Sequence, residues 1–443
     1  MYELYEPQAA TLAMHIPDNF ISPSTGAVFW AVMIPIWVLC FRSMIRNAGP
    51  ERMAYLGAGA AFSFLIMMFN VPTPGGTTAH GVGGALIALL LGPQYATVAV
   101  SVALLLQALL FGDGGLITLG ANCFNMAVVL PFTAYGIYMG IRGIARFVGG
   151  VGRAGGSVAT SGDVRGRGSA GAAGGRDDVA GTGSAMGRVG SRGRAAGSYA
   201  SGRIADRVAV FLGGYIGLTL AALCVAVELG VQPMLFHDAA GRALYFPFPL
   251  AVTIPAMLIP HLAVAGVVEG LATVVVVDFV RRSAPEIVTS GIGVRGRGEV
   301  SVGEIAGPIA NVSRGTSRPV SRETQTGVVQ SVSRGTSGTR RPLWVALAIV
   351  ALLSPLGLLA TGDAWGEWGA EDFMAATGLD YVPQFIAHGF TWNTLLPDYS
   401  LAGLPDVVGY VLSAVIGIAL TTIVFRLLAL AVRGAGSGKV RRG

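Results

Sequence analysis

Long apolar runs separated by short polar stretches dominate the chain. Crossing about 30 Å of hydrocarbon takes roughly 20 apolar residues, and nine runs are candidates: 24–42, 54–70, 79–92, 95–111, 123–141, 208–230, 249–280, 343–361 and 406–432, two of them short. Only Pro93 and Gln94 separate the third run from the fourth, which predicts a tight helical hairpin. Gly81, Gly83, Gly84 and Ala85 in the third run suit close helix packing in lipid. The pattern predicts an all-α integral membrane protein with about seven transmembrane helices followed by two further C-terminal ones.

Composition strengthens this reading. Hydrophobic residues make up 53% of the 443 and charged residues only 12%, which excludes a soluble multidomain enzyme. Cys40, Cys123 and Cys224 all sit in apolar stretches, leaving neither a disulfide framework nor a CxxC metal motif. The net charge of +6 is a topology signal and implies no nucleic-acid partner. With alternating spans, one side carries Arg42, Arg46 and Arg52, eleven Arg from Arg142 to Arg207, ten from Arg281 to Arg341, and the group from Arg426 through Lys439 to Arg442. The other side carries Arg242 alone, with an acidic segment that includes Asp363, Glu367, Glu371 and Asp372. The bias predicts a multi-pass protein of the plasma membrane, N-terminus outside and C-terminus in the cytoplasm.

Two stretches on the basic side cannot bury enough apolar surface to offset the entropy of ordering. Residues 148–205 are mostly Gly, Ala, Ser and Arg, and 286–340 contain VSRGTS twice, at 312–317 and 332–337. Both are expected to be flexible. The organisation predicted is an N-terminal extension 1–13, a unit 14–283 with the insert 148–205, a linker 286–340, a two-helix module 341–434 and a basic tail 435–443.

The polar chemistry left in the apolar part gathers at one side. His15, Asn70, His80, Gln107, Asp113, Asn122 and Asn125 all fall at or near the outer ends of the first five spans. A single Asn or Gln there is ordinarily just an interfacial residue. The histidines carry more weight, since the chain has five in all. His261 and Glu269 lie inside the seventh run, where an ionisable residue is a functional candidate, with packing or a partner contact as the plainer reading. His237 and His388 fall in outer loops and are expected to be exposed. No GxxxxGK[ST] phosphate loop is present, and no nucleophile and base pair stands out, so no catalytic residue and no cofactor are assigned.

Met14-His15-Ile16-Pro17-Asp18-Asn19-Phe20-Ile21-Ser22-Pro23 resembles the start of the CbiM/NikM family, the cobalt- and nickel-binding S components of energy-coupling-factor (ECF) transporters. The resemblance continues through NVPTPGGTTAHGVGGALIALLLGPQYA at 70–96, QALLFGDGGLITLGANCFNMAVVLPF at 107–132 and PHLAVAGVVEGLATVVVVDFVRRSAPEIV at 260–288. SPLGLLATGDAWGEWGAEDF at 354–373 and LPDYSLAGL at 396–404 look like the NikN/PDGLE-type two-helix module.

The resemblance implies a divalent metal held in a near-planar array of nitrogens: the Met14 amine, the His15 amide and imidazole, and His80. Such a field suits Ni2+ or Co2+ better than tetrahedral Zn2+ or oxygen-seeking Mg2+, and the sequence leaves nickel and cobalt both open. Thirteen residues precede Met14, so the amine requires translation to begin at Met14 or the extension to be removed. Asn19 stands where the family has Gly, and Asn tolerates positive φ. Asp18 is expected to receive a hydrogen bond in the N-terminal loop, while Asn70, Gln107, Asn122 and Asn125 are candidates to orient the imidazoles, with helix capping the alternative for each.

The implied partners are a membrane coupling subunit and cytoplasmic ATPases, for a substrate-binding component that feeds cobalt to cobalamin synthesis or nickel to metalloenzymes. A self-sufficient secondary transporter and a membrane assembly protein are the competing classes.

Overall fold

The structure is a computed structural model that describes residues 15–47, 50–69, 71–73, 77–154, 189–283, 341–359, 370 and 373–440. Met14, Asn70, the extension 1–13 and the linker 286–340 lie outside the described residues. Among the described residues the regular structure is helical apart from one small hairpin, β1 (Val71–Thr73) paired antiparallel with β2 (Thr77–Ala79). The helices are α1 (Pro23–Asn47), α2 (Pro50–Met67), α3 (Gly84–Leu91), α4 (Pro93–Leu106), α5 (Leu119–Asn122), α6 (Leu130–Ala154), α7 (Val189–Gly230), α8 (Gln232–Leu235), α9 (Leu250–Pro260) and α10 (Gly266–Ser283). Four more follow: α11 (Arg341–Leu353), α12 (Phe373–Thr377), α13 (Gln384–His388) and α14 (Asp406–Val440). Wider π-helical turns link three neighbours: Gln107–Phe111 after α4, Cys123–Val129 between α5 and α6, and His261–Ala265 between α9 and α10.

Among the described residues six helices are long and apolar enough to cross a membrane: Pro23–Asn47, Pro93–Phe111, Leu119–Ala145, Ile204–Leu235, Leu250–Ser283 and Asp406–Ala431. Two shorter apolar helices, Arg52–Met67 and Trp344–Leu356, match the second and eighth apolar runs. The protein is therefore a multi-pass helical membrane protein. The third run, 79–92, departs from the expectation of a continuous helix. Residues 80–83 are non-helical and only Gly84–Leu91 winds into α3, a helix about 12 Å long at 1.5 Å per residue.

The physical cause is the glycine content of that run, which weakens a helix, with Gly83 at φ 70° just before α3. Irregular backbone at membrane depth survives only inside protein, and every residue of α3 is buried. Its open backbone groups find side chains instead. Glu269 Oε2 accepts from the Val82 and Gly83 amides at 3.1 and 3.5 Å, and Ser63 donates to the Val82 carbonyl at 2.7 Å. The predicted hairpin does form: Gly92, at φ 109°, turns the chain directly into α4.

Helix extends into the expected insert 148–205 from both ends. α6 continues to Ala154 and α7 begins at Val189, since adding one more residue to a helix already anchored by packing costs far less than starting a new one. α14 likewise runs on through 435–440 of the predicted basic tail.

Small residues let the central helices meet closely, as lipid-embedded packing requires. A methyl group at Gly217 would lie 2.8 Å from the Leu130 carbonyl, so α7 and α6 touch backbone to backbone. At one end of these helices Asp206 pairs with Arg281 and receives the Tyr138 hydroxyl at 2.9 Å, while Arg207 pairs with Asp278 at 2.7 Å, tying α6, α7 and α10 together. The C-terminal helix α14 lies on α2: the Tyr410 hydroxyl donates to the Met68 carbonyl, and Gly417 leaves room for the Phe64 ring.

Candidate metal site

The segment 15–22 is held inside the protein on several sides. Ile16, Phe20 and Ile21 are buried. Asn122 takes the place of a strand neighbour for Ile16: its Oδ1 accepts from the Ile16 amide at 2.8 Å and its Nδ2 donates to the Ile16 carbonyl at 3.0 Å. Thr118 donates to the same carbonyl at 2.6 Å. The Asp18 carboxylate accepts from the amides of Leu116 and Ile117 at 2.8 Å and of Thr118 at 3.2 Å, which are the free N–H groups leading into α5. Asn19 has φ 73°, a left-handed turn that Asn tolerates better than most residues.

This mounting carries the His15 ring to that of His80, with ring centroids 4.7 Å apart and planes tilted by 47°. His80 arrives from the other direction, at the end of the β1–β2 hairpin and ahead of α3. Both imidazoles are buried, and the Nε2 atom of each has no hydrogen-bond partner. A buried polar nitrogen without a partner is costly, and a bound ion is one way to satisfy it. His80 Nδ1 lies 3.1 Å from the Gly81 carbonyl.

His15 Nδ1 is held by Asp113, in the turn between Gly112 and Gly114, both at positive φ. The other Asp113 oxygen accepts from the Tyr399 hydroxyl at 2.5 Å and from Gln107 Nε2 at 3.3 Å, and Gln107 also donates to the Tyr399 oxygen at 2.8 Å. Burial pushes the Asp113 carboxyl up, but the His15 charge and hydrogen bond and the Tyr399 hydroxyl outweigh it and leave the acid below its ordinary range. Burial, and then the Asp113 charge, raise the Tyr399 hydroxyl well above the ordinary tyrosine value. Among the described residues no group of three or more His, Cys, Asp or Glu side chains is gathered closely enough to hold a metal. Two buried imidazoles stand side by side at this place.

The chain matches the model of the cobalt uptake substrate-specific transmembrane region, CbiM, over residues 15–164 and 184–287, and a PDGLE domain over 341–434. It belongs to the CbiM family. It is 36% identical over 428 residues to the fused nickel transport protein NikMN of Rhodobacter capsulatus, a match covering 92% of this chain and 94% of that one. It is 43% identical over 141 residues to the cobalt transport protein CbiM of Roseiflexus, covering 31% and 56% of the two chains. A crystal structure described as a transition metal transporter is 36% identical and covers 64% of this chain and all of that one, with a TM-score of 0.47.

The residues singled out in the sequence divide into three groups. His15, His80, Asp18, Gln107 and Asn122 converge on one place, although Asn122 holds the Ile16 backbone and Gln107 reaches His15 only through Asp113. Asn125 belongs elsewhere: its Nδ2 donates to Glu228 at 2.9 Å, because the π-helical turn Cys123–Val129 directs it toward α7. Met14 and Asn70 lie outside the described residues.

Two participants were not assigned a role from sequence. Asp113 stands out as the one ionisable residue in the loop 112–118, a usable signal. Tyr399 lies in the LPDYSLAGL motif of the C-terminal module, and nothing local ties it to His15. That module also meets the loop at Asn19, whose side chain exchanges hydrogen bonds with the Phe390 amide and carbonyl, each at 2.8 Å.

Proposed function

We propose that this metal-transport family member is the substrate-binding component of an ECF-type importer, and that it captures Ni2+ or Co2+ on the extracytoplasmic side at His15 and His80. The observation that carries the reading is the pair of buried imidazoles, 4.7 Å apart, with His80 Nε2 unpartnered and His15 Nδ1 held by a carboxylate that an ion can replace. The N-terminal amine and amide of Met14 and His15 complete the ligand set, giving nitrogen donors to an ion of intermediate softness. A free amine at Met14 means that the functional chain begins there. Unit 14–283 supplies the site, the linker 286–340 tethers the module 341–434, and a coupling subunit with cytoplasmic ATPases supplies the energy, since the sequence has no phosphate-binding loop of its own.

Ring closure dictates which nitrogen of His15 is used. An imidazole that shares a metal with its own backbone nitrogen closes a six-membered chelate through Nδ1, the atom held by Asp113. Loading therefore exchanges Asp113 for the ion, and Tyr399 and Gln107 are placed to keep the freed carboxylate hydrogen-bonded.

Equilibrium binding of Ni2+ and Co2+ to chain beginning at Met14, compared with the thirteen-residue-extended form and with His15→Ala and His80→Ala, tests this. One ion per chain, lost in all three comparators, is expected. Binding indifferent to His15 would overturn the assignment. A gradient-driven carrier is the second reading, favoured by the buried Glu228, His261 and Glu269 inside apolar spans; uptake in cells without ATPase partners would select it.

A further inference from the structure

The two capture-site imidazoles are backed in different ways. His15 Nδ1 is held directly by the Asp113 carboxylate. His80 Nδ1 lies 3.1 Å from the Gly81 carbonyl. Because a carbonyl can only accept, this contact puts the ring proton on Nδ1 and leaves Nε2 as an open lone pair. That Nε2 is buried and, among the described residues, has no partner. Whatever fixes the Gly81 carbonyl therefore also fixes the ring.

A second buried carboxylate does so from one peptide away. The Gly81 carbonyl and the Val82 amide belong to one rigid planar unit, trans like every peptide described, in which the two groups point in opposite directions. On the far side of that unit the Val82 amide donates to Glu269 Oε2 at 3.1 Å. Glu269 stands in the first turn of α10 and is 2% exposed. The order of contacts is thus carboxylate, amide, carbonyl and imidazole, so rotating the peptide away from Glu269 would take the carbonyl away from the ring. A hydrogen bond at the amide also strengthens the carbonyl as an acceptor. Gly81 leaves the space for this approach, since a methyl group there would stand 2.8 Å from Glu269 Oε2. A carboxylate buried inside the apolar span Leu250–Ser283 is costly to keep, and these contacts give it a task at the capture site.

We propose that Glu269 is a positioning residue for metal capture, which acts through the Gly81–Val82 peptide to fix the orientation and tautomer of His80. The inference rests on the capture reading and deepens it. Glu269 touches no ion, and its effect on the metal passes through the ring of His80, whose Nε2 it keeps unprotonated. Ser63 provides the contrast: its hydroxyl donates to the Val82 carbonyl at 2.7 Å, in the next peptide along. It steadies the same stretch without belonging to the chain of contacts.

The test pairs two measurements on the purified full chain: nitrogen NMR of its labelled histidines without metal, with the His80 signals assigned by their loss in His80→Ala, and equilibrium nickel binding. The wild-type spectrum is expected to show His80 protonated at Nδ1. Glu269→Ala is expected to mix the two tautomers and to weaken nickel binding by about tenfold or more. Glu269→Gln, whose amide oxygen can accept from the same Val82 amide, is expected to keep the wild-type tautomer and an affinity within about threefold of wild type. Ser63→Ala is expected to lower the melting temperature and leave the tautomer unchanged. A wild-type tautomer in Glu269→Ala overturns the proposal, as does an affinity in Glu269→Gln as weak as in Glu269→Ala. A loss of affinity in Ser63→Ala equal to that in Glu269→Ala also overturns it, by reducing Glu269 to general support of the stretch. A wild-type chain that binds no nickel would instead overturn the capture reading, while the histidine spectra would still report whether Glu269 sets the His80 ring.

Discussion

Tyr399 donates its hydroxyl to the carboxylate of Asp113 across 286 residues of sequence, and the other oxygen of that carboxylate holds the ring of His15. The C-terminal module thus reaches the N-terminal imidazole through one intermediate residue. Groups that orient a ligating histidine commonly change metal affinity by about 10- to 100-fold when removed.

Tyr399→Phe keeps the ring stacked on Phe111 at 4.8 Å and removes only the hydroxyl. Nickel affinity is expected to fall by about tenfold or more, because Asp113 loses the donor that would hold it once the ion takes His15. Isothermal titration on the purified chain checks this, and an affinity within twofold of wild type would separate the C-terminal module from metal capture.

Asn122→Ala strips both the amide and the carbonyl of Ile16 of their side-chain partner. Leaving buried backbone groups unmet costs about 1–3 kcal/mol each, though Thr118 still serves the carbonyl. Faster amide exchange over residues 15–22 is expected, together with weaker metal binding. Exchange at the wild-type rate would show that Asn122 does not hold the segment.

Gly81→Ala would place a methyl carbon 2.8 Å from Glu269 Oε2 and 3.1 Å from the Ile66 side chain. Something must shift, and the element with freedom to do so is the non-helical stretch that carries His80. Nickel affinity is expected to drop while the melting temperature in detergent changes little. The reverse result, a large loss of stability with affinity intact, would mean that α3 and not His80 absorbs the strain.

At Asn19 two effects separate cleanly. Asn19→Gly keeps φ 73° accessible but loses both hydrogen bonds to Phe390. Asn19→Val loses them and is also strained at positive φ. Thermal melting should therefore rank wild type above Gly and Gly above Val. Equal losses in the two variants would assign the whole effect to docking of the module and none to the turn.

The sequence alone determined the solvent. Run lengths, low charge and the lopsided distribution of Arg required a multi-pass helical protein, because hydrocarbon leaves backbone groups no other partner. It also isolated His15 and His80, since the loop motifs around them are local and continuous. What it could not determine was any relation between residues far apart in the chain. Hydrophobicity marked 79–92 as apolar but could not say that the first residues of the run would stay unwound, because that depends on Glu269 and Ser63 accepting and donating in place of helical bonds. The same limit hid the pairing of Asn125 with Glu228 and gave Tyr399 no role. Apolar periodicity records which residues avoid water; only the tertiary structure decided which buried polar groups meet, because hydrogen bonds depend on direction and distance between side chains that no linear pattern encodes.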